Sequence, residues 1–121
     1  MDNNKFFVAV ASSDGIVVNN HFGRARNFYI YEIEIGNATE IRLVEKRTVE
    51  PVCEGGNHDD EKLRKNLMKL ADCKYLVVSR IGDGASFAAS SMGITPMELP
   101  GEIQVSLNQL IKYIQIQNLF S

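Results

Sequence analysis

The apolar positions of the chain change their period along its length, and the changes mark its elements. Residues 5–11, KFFVAVA, form a short apolar run of strand length, closed by the turn residues SSDG. Residues 28–35 alternate, with Phe28, Ile30 and Glu32 on one side and Tyr29, Tyr31 and Ile33 on the other. A further strand is predicted over 41–49. The short GNATE joint between the two suits an antiparallel hairpin. The stretch EPVCEGGNHDDE then reads as a loop from its Pro, paired Gly, Asn and Asp residues.

From Asp59 the period becomes helical, and Leu63, Leu67, Leu70 and Ala71 fall on one face. Asp59, Asp60 and Glu61 suit the positive end of that helix. YLVVS, residues 75–79, is a buried-strand run. RIGDGASFAASSMG follows as a turn opening a small-residue helix that Gly93 can end. ITPMEL, 94–99, is a last short strand, placed at a sheet edge by Pro96. A final helix from about Glu102 carries Ile103, Leu107, Leu110, Ile111 and Ile114 as its apolar stripe.

The predicted order is therefore β-β-β-α-β-α-β-α. Its alternating half requires parallel neighbours joined by right-handed crossovers, and the hairpin supplies one antiparallel strand. The expected architecture is an α/β five-stranded mixed sheet with three helices packed on it. In such sheets ligands sit in the loops after the carboxyl ends of parallel strands. SSDGIVVNNHFGRA follows the first strand and RIGDGA the fourth, so these loops are placed to share one end of the sheet.

The chain has 121 residues, expected to form a single domain over 1–121 with a core that needs no disulfide. A 45% hydrophobic and 23% charged composition is that of an ordinary globular protein. A net charge of −2 gives no broad footprint for nucleic acid or an anionic membrane. No apolar run approaches the ~18 residues of a membrane span, and a cytoplasmic location is expected. Cys53 and Cys73 are expected as thiols, since neither belongs to a C-x-x-C pair. Cys73 reads as a packed small hydrophobe near a helix end.

Enzyme chemistry finds little support. No acidic residue falls within the first strand, so the carboxylate cluster of a metal-dependent nuclease is missing. Neither His21 nor His58 adjoins a nucleophile elbow. IGDG lacks the longer patterns of a nucleotide loop. Gly82 and Gly84 serve a tight strand-to-helix turn, whose helix N-terminus can hold an anion. The remaining signal is His21, Cys53 and His58, all in predicted loops and all soft or borderline donors for iron, zinc or an iron–sulfur cluster. Gly55 and Gly56 give the backbone freedom to turn Cys53 and His58 toward one ligand. Arg24, Arg26 and Arg80 are solvated surface residues on one reading and neutralise an anionic cargo on the other. Three readings stay open: a cluster-binding protein, a mononuclear zinc or iron domain using His21, Cys53 and His58, and a regulatory interaction module.

VAVASSDGIVVNNHFGRARNFYIYEI, followed by EPVCEGGNHDDEKL, ADCKYLVVSRIGDGA and MGITPMEL, resembles the dinitrogenase iron–molybdenum cofactor biosynthesis family. That family includes NifX-type carriers, the NafY core and the C-terminal domain of NifB. The resemblance implies a ribonuclease H-like fold without nuclease activity. It also implies a non-catalytic carrier of an iron–sulfur or iron–molybdenum cofactor precursor, served by metallocluster donor and acceptor proteins. His21 matches the family's cluster-binding histidine, with Cys53 and His58 as weaker matches. On this reading Phe22 shields the ligand, Gly23 permits the turn, Arg24 and Arg80 offset the anionic cluster, and Gly82 and Gly84 line the opposite loop. No C-x-x-x-C-x-x-C motif is present, so radical cluster-building chemistry is not expected of this chain alone.

Overall fold

A computed structural model describes residues 4–54 and 57–120, with residues 54, 57 and 58 by their backbone only. In chain order the strands and helices are β1 (Lys5–Ala11), β2 (Val17–Val18), β3 (Asn27–Glu34), β4 (Glu40–Thr48), β5 (Cys53–Glu54), β6 (Asn57–His58), α1 (Asp60–Met68), β7 (Cys73–Val78), α2 (Asp83–Ser91), β8 (Thr95–Glu98), β9 (Gly101–Glu102) and α3 (Ile103–Leu119). A single 3-10 turn, Phe22–Arg24, lies between β2 and β3.

Five strands form the main sheet in the order β4-β3-β1-β7-β8. β3 runs antiparallel to both β1 and β4, while β1, β7 and β8 are parallel neighbours. The sheet is thus mixed, as the patterning predicts, with β3 as its antiparallel member. β1 is central because its alternate residues are apolar on both sides. Ala9 and Ala11 face α1 and α2, whereas Val8 and Val10 face α3. The first core adds Phe22, Phe28, Ile30, Leu63, Leu67, Leu76 and Ile94. The second adds Ile33, Val77 and the α3 stripe Ile103, Leu107, Leu110, Ile111 and Ile114. β3 therefore splits its side chains between the two cores as its alternation requires. Burial of this kind contributes about 1.5–3 kcal/mol for each large side chain and is the main stabilising term.

Asp59 caps α1 by accepting hydrogen bonds from the Glu61 and Lys62 amides at 3.0 and 3.2 Å. The helical pattern overruns the helix: α1 stops at Met68, so Leu70 is buried from a turn and Ala71 is exposed. The Asn66 amide is buried inside this region and donates to the Glu50 carbonyl at 2.7 Å. Gly93, at φ +82, takes the left-handed conformation that follows α2. Pro96 stands on the edge strand β8.

Cys73 opens β7 just past the turn that ends α1, near a helix end as expected. Burial, with the neighbouring Asp72 carboxylate second, pushes its thiol up to about 12. It is a packing residue. The Arg47 guanidinium holds Asp72 in a two-pronged pair at 2.7 and 2.8 Å, bonds the Lys69 carbonyl at 2.6 Å and reaches Glu45 at 2.7 Å. This pair ties β4 to the end of α1 and holds the Asp72 carboxyl below its ordinary range. No helix among the described residues is long and apolar enough to cross a membrane.

Candidate functional site

β1 and β7 are parallel, so the segments that leave them start from the same end of the sheet. The first folds back at once. Ser12 donates to Asp14 Oδ1, and the amides of Ile16 and Val17 donate to the same oxygen at 2.9 and 3.1 Å. These bonds hold the Asp14 carboxyl below its usual value. The chain then pairs β2 with β9 and runs alongside the end of β7. There the Ser79 amide donates to the Asn20 carbonyl at 3.0 Å, and the Phe22 amide donates to the Arg80 carbonyl at 2.8 Å. His21 and Arg80 form a parallel bridge, which lengthens the sheet by one residue pair and puts the imidazole-bearing residue beside Arg80.

After His21 the chain tightens into the 3-10 turn. Phe22 is 1% exposed and its ring centroid lies 5.9 Å from that of Phe28. It anchors the turn from within the core and is not a lid over a ligand. Gly23 has no left-handed φ to explain it. Its role is close approach: a Cβ at this position would stand 2.7 Å from Cys53 Sγ and 3.2 Å from Cys53 Cβ. Cys53 arrives there because the Val49 amide donates to the Arg26 carbonyl at 2.8 Å, drawing the end of β4 under the turn. Pro51 and Val52 then bury themselves.

The result is an open cleft of about 520 Å³, lined by His21, Gly23, Arg24, Cys53, Arg80, Ile81, Gly82 and Asp83. Three distant segments meet in it. Of the residues singled out from sequence, His21, Gly23, Arg24, Cys53, Arg80 and Gly82 share this cleft. Phe22 lies beneath it, and Gly84 lies one residue past the lining, inside α2. Cys53 and His58 are direct partners across the β5–β6 ladder, so the predicted loop contains a small hairpin. The His58 side chain, Gly55 and Gly56 lie outside the described residues.

Two guanidinium groups and the start of α2 give the cleft a positive bias. Gly82 is the N-cap of α2 and supplies no side-chain cap, which leaves the first helical amides available. Among the described residues Asp83 is the one carboxylate in the lining. No three or more His, Cys, Asp and Glu side chains among the described residues are grouped so that they could hold a metal ion. Among the described residues the soft donors of the cleft are one imidazole and one thiol. Asp83 falls inside the predicted RIGDGA turn, where nothing in its spacing points it at a ligand, and in the structure it is the first residue of α2. Glu98, whose carboxylate accepts the Ile81 amide at 2.9 Å, gave no signal, because only the β7–β8 pairing brings it to this loop.

Residues 4–113 match the family described as dinitrogenase iron-molybdenum cofactor, and the chain belongs to that family. It is 42% identical over 95 residues to the FeMo cofactor biosynthesis protein NifB of Frankia alni, covering 76% of this chain and 18% of that protein. It is 31% identical over 105 residues to NifB of Chlorobaculum tepidum, covering 85% and 23%. The chain thus spans about a fifth of the length of these relatives. Its fold is similar to that of the crystal structure of PH0822, with a TM-score of 0.59 at 22% identity over 88% of this chain and 91% of that one. It is also similar to the NMR structure of a putative NifB protein from Thermotoga, with a TM-score of 0.53 at 20% identity over 88% of each chain.

Proposed function

We infer that this chain is a non-catalytic, cytoplasmic carrier for an iron–sulfur or iron–molybdenum cofactor precursor, built on a ribonuclease H-like arrangement. It acts in nitrogenase cofactor biosynthesis or a related metallocluster pathway. The observation that carries the reading is the cleft itself, where His21 and Cys53 stand with Arg24 and Arg80 at the carboxyl end of the parallel strands. Family membership and the NifB relatives support the pathway.

His21 is the principal ligand and Cys53 the secondary one. An imidazole and a thiolate suit iron, and two guanidinium groups offset the negative charge of a sulfide-rich cluster. So few protein ligands leave the cargo's remaining coordination positions open. That is the chemistry of capture and release, with a donor protein loading the cleft and an acceptor emptying it. Among the described residues the lining offers no assembled nucleophile, base and orienting group of the kind an enzyme needs.

The test is anaerobic titration of the protein with a cofactor precursor, following absorbance and bound iron, beside His21→Ala. Stoichiometric uptake by the wild type, lost in the variant at an unchanged unfolding midpoint, is expected. Absence of uptake by folded wild-type protein overturns the carrier reading. Tight zinc retained by protein purified in air would replace it with a mononuclear metal site.

A further inference from the structure

The two edges of the main sheet are not alike. β8 is four residues long and contains Pro96, a short edge of the kind that discourages pairing. β4 is nine residues long and is the terminal strand on the other side, with Leu43 53% and Val44 37% exposed. Its register against β3 slips by one residue between Ile30 and Tyr31. Leu43 opposes Tyr31, Glu45 opposes Ile30, and Val44 is the bulged residue without a partner.

The bulge reverses the facing of everything after it. Glu40, Arg42, Glu45 and Arg47 oppose Glu34, Glu32, Ile30 and Phe28, which are alternate residues of β3 and so share one face. Ile41, Leu43, Lys46 and Thr48 oppose Ile33, Tyr31, Tyr29 and Asn27 on the other face. The strand has thereby become self-complementary. If two copies of β4 pair antiparallel about a two-fold axis between Leu43 and Val44, Glu40 stands opposite Arg47 and Arg42 opposite Glu45. Ile41 stands opposite Lys46. Each of these pairs matches in facing, each charged pair matches in sign, and symmetry repeats each one. No like-charged residues meet. Leu43 and Val44 cover each other at the axis. Arg42 already bonds Glu32 at 2.7 Å within its own sheet, so Glu45 of the second copy extends an existing charged row.

We propose that the β4 edge is a self-association surface, through which two copies of this chain pair their sheets antiparallel into one continuous sheet. An edge guarded by uniform charge would repel a copy of itself. This one alternates in sign and fits its own image. Because β4 runs parallel to β1, the two-fold turns the clefts to opposite ends of the joined sheet and leaves both open. Edge pairing buries less surface than a standard interface, so the dimer is weak and concentration-dependent.

The experiment is sedimentation equilibrium of the full chain over a wide concentration range, with Arg42→Glu and Glu45→Arg variants. Wild type is expected to move toward twice the monomer mass as concentration rises. In either variant two opposed pairs become like-charged, which weakens the dimer roughly 10- to 30-fold at the usual worth of cross-strand pairs. Mixing the two variants in equal amounts recreates opposite charges at both positions and is expected to restore the dimer as a heterodimer. That outcome also shows that each variant is folded. A wild type that stays monomeric into the millimolar range overturns the proposal. So does a dimer indifferent to both substitutions, or a mixture that fails to re-associate when circular dichroism shows both variants folded.

Discussion

Replacing Gly23 by Ala tests the contact on which the cleft is built. The added methyl carbon would lie 2.7 Å from Cys53 Sγ and 3.2 Å from its Cβ. Non-bonded heavy atoms are most stable at about 3.5–4.0 Å, so both contacts are repulsive and the first severely so. Relief requires turning Cys53 off its rotamer, at about 0.5–1.5 kcal/mol, or lifting the 3-10 turn from β5. Overpacking of this severity costs about 1–3 kcal/mol. Against it stands a gain of about 0.4–1 kcal/mol from restricting the unfolded chain. The net expectation is a loss of about 1–2 kcal/mol, a shift of about 1 M in the urea midpoint at an ordinary slope. Cys53→Ala removes the sulfur and hence the shorter contact. The double variant is therefore expected to recover about 1 kcal/mol relative to the sum of the single changes. Equilibrium urea unfolding of the four proteins gives this coupling directly. Additivity within about 0.3 kcal/mol would refute the claim that Gly23 is required by Cys53, and with it the geometry that joins the two loops.

Three further expectations follow from the packing and the charges. Phe22→Ala should cost about 3–5 kcal/mol in unfolding free energy with no ligand present, because the ring belongs to the core; a loss below about 1 kcal/mol would return it to the role of a ligand shield. Asp59→Ala should cost about 1 kcal/mol, measured by urea, through the two capping hydrogen bonds lost at the start of α1. The Asp72 carboxyl titrates below its unfolded value, so its pairing with Arg47 contributes fully above about pH 4 and is lost as pH falls through the lowered folded value. Arg47→Met should cost about 1 kcal/mol at pH 7, a figure kept small by the exposure of Asp72, and should flatten acid unfolding below pH 4.

The sequence readings succeed where one side chain's neighbours are decided by period alone. The alternation from Phe28 to Ile33 assigns its residues to two sides, and the structure puts Phe28 and Ile30 in one core and Ile33 in the other, because successive side chains of a strand point to opposite faces. The α1 stripe reads one residue too far at Ala71, since Leu70 keeps its burial after the helix has ended. The two-residue strands are invisible to pattern because they exist only as pairings between distant segments, β2 with β9 for instance. The cleft follows the same rule. HFG and SRIGDG are legible as separate turns, yet their meeting depends on the Phe22–Arg80 backbone bond, and the place of Cys53 depends on the missing Cβ of Gly23. Phe22 misleads for a plain reason: a core aromatic and a lid aromatic have the same identity beside a candidate ligand, and only packing against Phe28 separates them.

The sheet also divides the molecule into two compartments with different freedoms. Phe22 and Cys53, which set the cleft, pack with α1 and α2, whereas α3 and its stripe serve only the opposite core. Exposed α3 positions such as Val105 and Ile116 therefore offer attachment points for a fluorophore or surface tether. A reporter fixed there would leave the cleft's walls as they are, and would test the proposed loading and unloading from the far side of the sheet.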